Sequence, residues 1–94
     1  LLALARQAIA ASLGGERLVV DGASRVGRRA GVFVTLRLSG ALRGCIGHLD
    51  PQTPVDATVA RCAVAAANAD PRFPPLTAVE FDAVAIEVSV LSAP

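Results

Sequence analysis

Three side chains with chemical potential stand close together between positions 43 and 48. The stretch LRGCIGH at 42–48 contains an arginine, a thiol and an imidazole, at Arg43, Cys45 and His48. A cation beside a cysteine favours the thiolate, which is the nucleophilic form of that side chain. Histidine titrates near neutral pH, so His48 could move a proton. The stretch therefore indicates a thiol site for nucleophilic or redox chemistry, with Cys45 as the reactive group.

The two glycines of the same stretch support two interpretations. Gly44 and Gly47 could let a ligand approach the backbone closely. They could equally make room for a helix packed against the strand, with Cys45 as a small, inert and buried residue. The residue types alone leave both interpretations open.

Cys45 and His48 also have the spacing of a Cys-x-x-His pair, which could supply two metal ligands. A structural zinc site needs four ligands and a catalytic site usually needs three. Cys62 could join them only if its helix docked there. We therefore predict no metal site. No cofactor is implied either, because the sequence has no phosphate-binding glycine loop, zinc-protease helix or serine-nucleophile elbow.

A further candidate lies in the proline-rich stretch PRFPP at 71–75. Flanking prolines restrict the backbone and lower the entropy that is lost when Arg72 is fixed. A pre-positioned Arg72, together with Arg43, could bind a carboxylate or phosphate group of a ligand. The alternative is that Arg72 pairs with Asp70 or a helix carbonyl while Phe73 fills the core.

The elements that carry these residues follow from the hydrophobic pattern. GVFVTLRLS at 31–39 alternates in polarity, as a strand with one apolar face does. Ser39-Gly40 is typical of a hairpin turn, so the stretch at 41–47 returns as a second strand. Regular alternation places Arg43 and Cys45 on one side of the sheet, one pleat apart, and Leu42 on the other side.

Helices are predicted on both sides of this hairpin. The first ends at Gly14-Gly15, and the second covers about 54–69, with Thr53 as N-cap and Pro54 as its first residue. Thr77 and Glu80 have capping-box spacing and predict a helical turn. AIEVSVL at 85–91 alternates as a third strand. The pattern indicates one α+β domain over 1–94, with a mainly antiparallel sheet flanked by helices.

The composition and net charge of the chain limit the classes of function that it can have. The 94 residues have a formal net charge of +1, which gives no electrostatic drive towards nucleic acid or anionic membranes. The arginines at 25, 28 and 29 form a small basic cluster without interleaved aromatic residues, which is weak evidence for phosphate binding. No apolar run reaches the roughly 18 residues of a membrane span. Two cysteines outside any Cys-x-x-Cys pair are typical of free thiols in a reducing compartment, so we expect a cytoplasmic protein.

The motifs together point to a known family. LRGCIG, HLDP, an alanine-rich helix, DPRFPPL and IEVSVL follow one another in an order that resembles the AMMECR family. Its bacterial members are called AmmeMemoRadiSam system protein A. The resemblance covers essentially all of the chain and corresponds to about the first half of the family domain. We therefore expect the chain to be the N-terminal portion of a longer domain.

The resemblance implies an α+β fold with a mainly antiparallel sheet flanked by helices, and a smaller second subdomain. It also gives weight to Arg43, Gly44, Cys45 and Gly47 as a site, because LRGCIG is the hallmark of the family. It supplies no reaction, since none is established for the family. The association of bacterial members with a Memo-type protein and a radical SAM protein implies a shared pathway. Two functions remain open: a thiol-containing enzyme or enzyme component, and a non-catalytic module that binds a partner or small ligand.

Overall fold

Three helices and three strands make up the fold. The computed structural model describes residues 1–16, 30–49 and 53–92. In chain order the elements are α1 (Leu2–Leu13), β1 (Ala30–Leu38), β2 (Ala41–Leu49), α2 (Val55–Asn68), α3 (Ala78–Ala83) and β3 (Ala85–Ser92). The predicted α+β class and element order are confirmed. The arginine cluster at 25–29 lies outside the described residues. None of the described helices is long and apolar enough to cross a membrane.

The sheet is antiparallel, with strand order β2-β1-β3. The predicted two-residue hairpin between β1 and β2 is confirmed. Ser39 has φ 53° and Gly40 has φ 82°, so both turn residues adopt the left-handed conformation. Turns of this kind match the right-handed twist of the two strands that they join. The turn therefore holds β2 directly against the central strand β1.

The hydrophobic core lies between one face of the sheet and the helices. Val32, Val34 and Leu36 alternate along β1 and are almost completely buried. They pack with small side chains of α2 and with Ala5 and Ile9 of α1. The α2 members of this core are Val59, Cys62, Ala63, Ala66 and Ala67. Because alanine side chains are short, the helix backbone can approach the sheet closely.

The start of α2 differs by one residue from the prediction. Pro54, and not Thr53, is the N-cap residue of the helix. Pro54 has φ −55° and ψ 144°, so its backbone is still extended at the point where the helix was expected to have begun. Proline fixes φ but leaves ψ free, and an extended ψ places the residue just outside the helix. The carbonyl of Pro54 then accepts hydrogen bonds from the amide and the hydroxyl of Thr58.

A β-bulge interrupts the regular pairing of β1 and β2. Arg37 pairs with Leu42, whereas the preceding residue of β1, Leu36, pairs with Gly44. Arg43 is therefore an extra residue on β2 without a partner on β1. A bulge of this kind changes which face the later side chains occupy. The predicted alternation is wrong at this point, because Leu42 now lies on the same face as Cys45.

Candidate functional site

Cys45 lies on the face of the sheet that points away from the core. It pairs with Thr35, and the two side chains meet at 3.3 Å between Sγ and Oγ1. Either group can donate this hydrogen bond. The thiol is half-buried, and Phe33 and Leu42 are exposed on the same face. Within the described parts of the chain, no helix packs over this face.

The backbone of Cys45 is held from the edge of the sheet by the segment that follows α2. The amide of Cys45 donates to Asp70 Oδ2 at 3.0 Å, and its carbonyl accepts from Arg72 Nη2 at 3.4 Å. Both groups lie on the outer edge of β2, where no strand within the described residues pairs with them. The Asp70–Arg72 pair thus takes the place of a neighbouring strand at the position of the thiol.

Asp70 and Arg72 are tightly joined to each other. Arg72 donates to the carboxylate of Asp70 from its own amide and from Nε, both at 3.0 Å, and from Nη2 at 2.7 Å. The hydrogen bonds from Arg72, together with the one from the Cys45 amide, hold the pKa of Asp70 well below its ordinary value. Arg72 therefore meets an internal carboxylate, which was one of its two predicted roles.

Arg43 is buried between β2 and the segment at 73–80. Its Nε donates to Glu80 Oε2 at 2.9 Å and its Nη2 donates to Glu80 Oε1 at 3.0 Å. Nη2 also donates to the carbonyls of Pro74 and Pro75 at 2.8 and 3.3 Å. The ring of Phe73 lies 5.8 Å from the Arg43 guanidinium and 5.5 Å from that of Arg72. Phe73 thus contacts both arginines rather than filling the core.

Glu80 joins this ion pair to the capping box of α3. Its Oε1 accepts from the amide of Thr77 at 3.0 Å, while the hydroxyl of Thr77 accepts from the Glu80 amide at 3.1 Å. The predicted capping box is therefore confirmed. The hydrogen bond from Arg43, and next that from the Thr77 amide, lower the pKa of Glu80 from its ordinary 4.5 to about 2.

The two glycines of the motif have different surroundings. A Cβ on Gly44 would overlap the backbone carbonyl oxygen of Ala66 in α2. A Cβ on Gly47 would instead overlap the ring of Phe33, an exposed side chain on the open face. Gly44 therefore permits close packing of helix and strand. The lack of a side chain at Gly47 leaves space on the open face beside Cys45, and the ring of Phe33 fills it.

His48 and Cys62 do not join Cys45. His48 pairs with Val32, whose side chain is buried in the core, so His48 lies on the helix-facing side at the end of β2. Cys45 pairs with Thr35 and lies on the opposite side. Cys62 is buried in the core, and this burial raises the pKa of its thiol. The structure therefore brings together Cys45 and the Asp70–Arg72 pair, and separates them from the predicted proton-transfer residue.

Three residues of this site were not identified from the sequence as functional. Thr35 is the hydroxyl neighbour of the thiol, Asp70 holds the thiol backbone, and Glu80 neutralises Arg43. The sequence carries a signal for two of them, because it offers Asp70 as a partner of Arg72 and Glu80 as a capping residue. Thr35 had no signal, since the bulge that brings it opposite Cys45 is not visible in the pattern.

The lowered pKa of Glu80 predicts an acid-sensitive fold. A carboxylate whose pKa is lower in the folded than in the unfolded state stabilises the fold above its unfolded pKa. This contribution is lost as the pH falls from about 4.5 to about 2. The urea midpoint of the full-length protein should therefore fall across this range, and that of Glu80→Gln should fall less steeply. Glu87→Gln is the control, and an identical slope in Glu80→Gln and wild type would contradict the prediction.

The fold and site define an α+β protein whose distinctive sequence motif places a thiol on an open sheet face. The chain matches the AMMECR1 family over residues 2–94, and it belongs to that family. The resemblance to the AMMECR family is thereby confirmed.

Relatives and solved structures agree with this assignment. A protein of Methanothermobacter thermautotrophicus is 44% identical over 97 residues, a match that covers 100% of this chain and 50% of that protein. A protein of Thermotoga maritima is 51% identical over 69 residues, covering 71% of this chain and 40% of its own length. The crystal structure of an uncharacterized protein from Pyrococcus horikoshii is similar with a TM-score of 0.84 and 37% identity, over 95% of this chain and 48% of that one. The chain thus spans about half the length of these relatives.

Proposed function

We propose that the open face of the sheet is a thiol-containing site at which Cys45 acts as a nucleophile or redox group. The protein would then be an enzyme or an enzyme component. The observation that carries the proposal is the position of the thiol: Cys45 is half-buried, bonded to Thr35 and directed away from the core. An inert structural cysteine would be expected in the core, where Cys62 lies.

The other residues of the motif position the thiol in this proposal. Asp70 and Arg72 fix the amide and carbonyl of Cys45. The bulge at Arg43 sets which residue of β2 lies opposite Thr35, and Gly44 lets α2 pack beneath the strand. His48 is left out of the thiol chemistry, because it lies on the other side of the sheet.

A second function is favoured by a different observation. Arg43 is bonded to Glu80, and Gly44 is packed against Ala66, so two residues of the motif have an architectural role. LRGCIG would then be structural, and the exposed face with Phe33 and Leu42 would bind a partner protein or a small ligand without chemistry. This function requires no reactivity of Cys45, so the two proposals are separated by the behaviour of the thiol.

The test is the rate of alkylation of each cysteine in the folded full-length protein, measured against pH by peptide mass spectrometry. We expect Cys45 to react about tenfold faster than Cys62, or more, because accessible thiols deprotonate and react whereas buried ones do not. Cys62 is the internal control, since it is 2% exposed. In Cys45→Ser the fast reaction at this peptide should disappear without loss of stability. A Cys45 that reacts as slowly as Cys62 until urea unfolds the protein would favour the binding module.

The pathway and its partners form a further part of the proposal. On the basis of the family resemblance, the partners are a Memo-type protein and a radical SAM protein, in the cytoplasm. Co-purification of the tagged full-length protein with either partner would test the link. Recovery of neither partner would count against the link and leave the thiol proposal standing.

A further inference from the structure

We propose that the group which approaches Cys45 is uncharged, and that the arginines around the thiol do not serve as an anion-binding site. This inference rests on the proposed thiol site and specifies the class of substrate that it accepts. The sequence indicates the opposite, because arginines at positions 43 and 72 suit a carboxylate or phosphate group. The deciding observation is the charge balance around the thiol.

Among the described residues, both arginines that lie near Cys45 have a carboxylate partner. Arg43 lies 2.9 Å from Glu80, and its side chain is 9% exposed. Arg72, which contacts the carbonyl of Cys45 at the edge of the sheet, lies 2.7 Å from Asp70. A guanidinium paired with a carboxylate presents a dipole rather than a net charge, and the field of a dipole falls off faster with distance than that of a charge. Neither arginine therefore offers an uncompensated positive charge to a ligand.

The charges that the described residues place on the open face are also balanced. Arg37 and Glu87 form an ion pair of 3.0 Å across β1 and β3, with side chains 41% and 54% exposed. The register places Glu87 opposite Thr35, on the same face as the thiol. Between this pair and the sheet edge, the face presents the ring of Phe33, the side chain of Leu42 and the hydroxyl of Thr35. These groups suit a ligand with apolar and hydrogen-bonding surface, without a formal charge.

Two alkylating agents of nearly equal size separate the possibilities. Iodoacetamide is neutral and iodoacetate is an anion, and both react with the same thiolate. Their rate ratio at Cys45 is therefore independent of the fraction of thiolate. The ratio in the folded full-length protein is divided by the ratio for the same cysteine in urea, which removes the intrinsic difference between the reagents. We expect the rate ratio of iodoacetamide to iodoacetate in the folded protein, divided by the same ratio in urea, to be about one or higher. The folded protein would then give the anionic reagent no advantage.

A variant that leaves a net positive charge on the open face provides the second measurement. Glu87→Gln leaves Arg37 without its carboxylate on the open face, and this pair is exposed, so the fold should tolerate the change. We expect the relative rate of iodoacetate at Cys45 to rise about two- to threefold at low ionic strength and to return towards wild type in high salt. Asp82→Asn makes the same change in net charge on α3, at another exposed position, and should alter the ratio less.

The outcomes are distinct. A severalfold preference of folded wild type for iodoacetate would overturn the inference and leave the thiol site standing. A relative rate of iodoacetate that is the same in Glu87→Gln and wild type would also overturn it. The pairing of Arg37 with Glu87 would then have no influence on which reagents reach Cys45. If Cys45 reacts with neither reagent until the protein unfolds, the proposed function fails, and the inference fails with it.

Discussion

Replacing Gly44 with alanine is expected to destabilise the folded protein by about 1–3 kcal/mol. The added Cβ would overlap the backbone carbonyl oxygen of Ala66, and its nearest side-chain neighbour is Leu36. A helix carbonyl cannot rotate away as a side chain can, so α2 would have to move off the sheet. Such a shift would loosen the packing of the helix against the buried side chains of β1. The effect is measured from urea unfolding curves of the full-length protein.

Gly47 supplies the matched control for this substitution. It lies three residues along the same strand, and the three atoms nearest to an added Cβ all belong to the ring of Phe33. This ring is 43% exposed and can turn towards solvent. Gly47→Ala should therefore cost less than about 1 kcal/mol. Equal losses in the two variants, or no loss in Gly44→Ala, would contradict the close approach of α2.

Replacing Glu80 with glutamine is expected to cause the other large loss of stability. The glutamine side chain would retain an oxygen for the Thr77 amide, but its NH₂ group would face the Arg43 guanidinium, donor against donor. Arg43 would then keep a charge in a site where its side chain is 9% exposed. Removing one partner of a buried ion pair is costly because the other charge is left uncompensated. We expect the fall in stability to be about twice that of Thr77→Ala, which removes only the cap.

The double variant Arg43→Met, Glu80→Gln isolates the cause. It removes the buried charge of Arg43 together with its carboxylate partner. The carbonyl oxygens of Pro74 and Pro75 can then accept hydrogen bonds from water, because both residues are exposed. The double variant should therefore lose less stability than the sum of the two single variants. Thermal melting and urea unfolding both report this difference. Strict additivity would show that the ion pair does not couple these positions.

Local patterns in the sequence were sufficient for most of the secondary structure. The alternation of Val32, Val34 and Leu36 predicted the buried face of β1, and Ser39-Gly40 predicted the hairpin. Thr77 and Glu80 predicted the cap of α3. Each of these depends on residues close in sequence, whose preferences act directly on the local backbone. The start of α2 was misplaced by one residue, because Thr53 and Pro54 both suit a helix start and the choice depends on the ψ angle of Pro54.

The site was predicted in part. The motif, its thiol and the pairing of Arg72 with Asp70 could be read from residue types and spacing. The partner of Arg43 could not, because Glu80 lies 37 residues away along the chain. Glu80 carried a capping signal, and nothing in the sequence showed that its carboxylate would also meet a guanidinium.

What the sequence determined by itself was the family, the elements and the identity of the candidate thiol. What only the tertiary structure decided was the face and surroundings of each side chain in the motif. One extra residue at Arg43 shifts the register, so that Cys45 lies opposite Thr35 and Leu42 joins the open face. The bulge places Gly44, and not Arg43, opposite Leu36, on the face where α2 packs. It depends on contacts between distant segments, which residue-by-residue patterns do not contain.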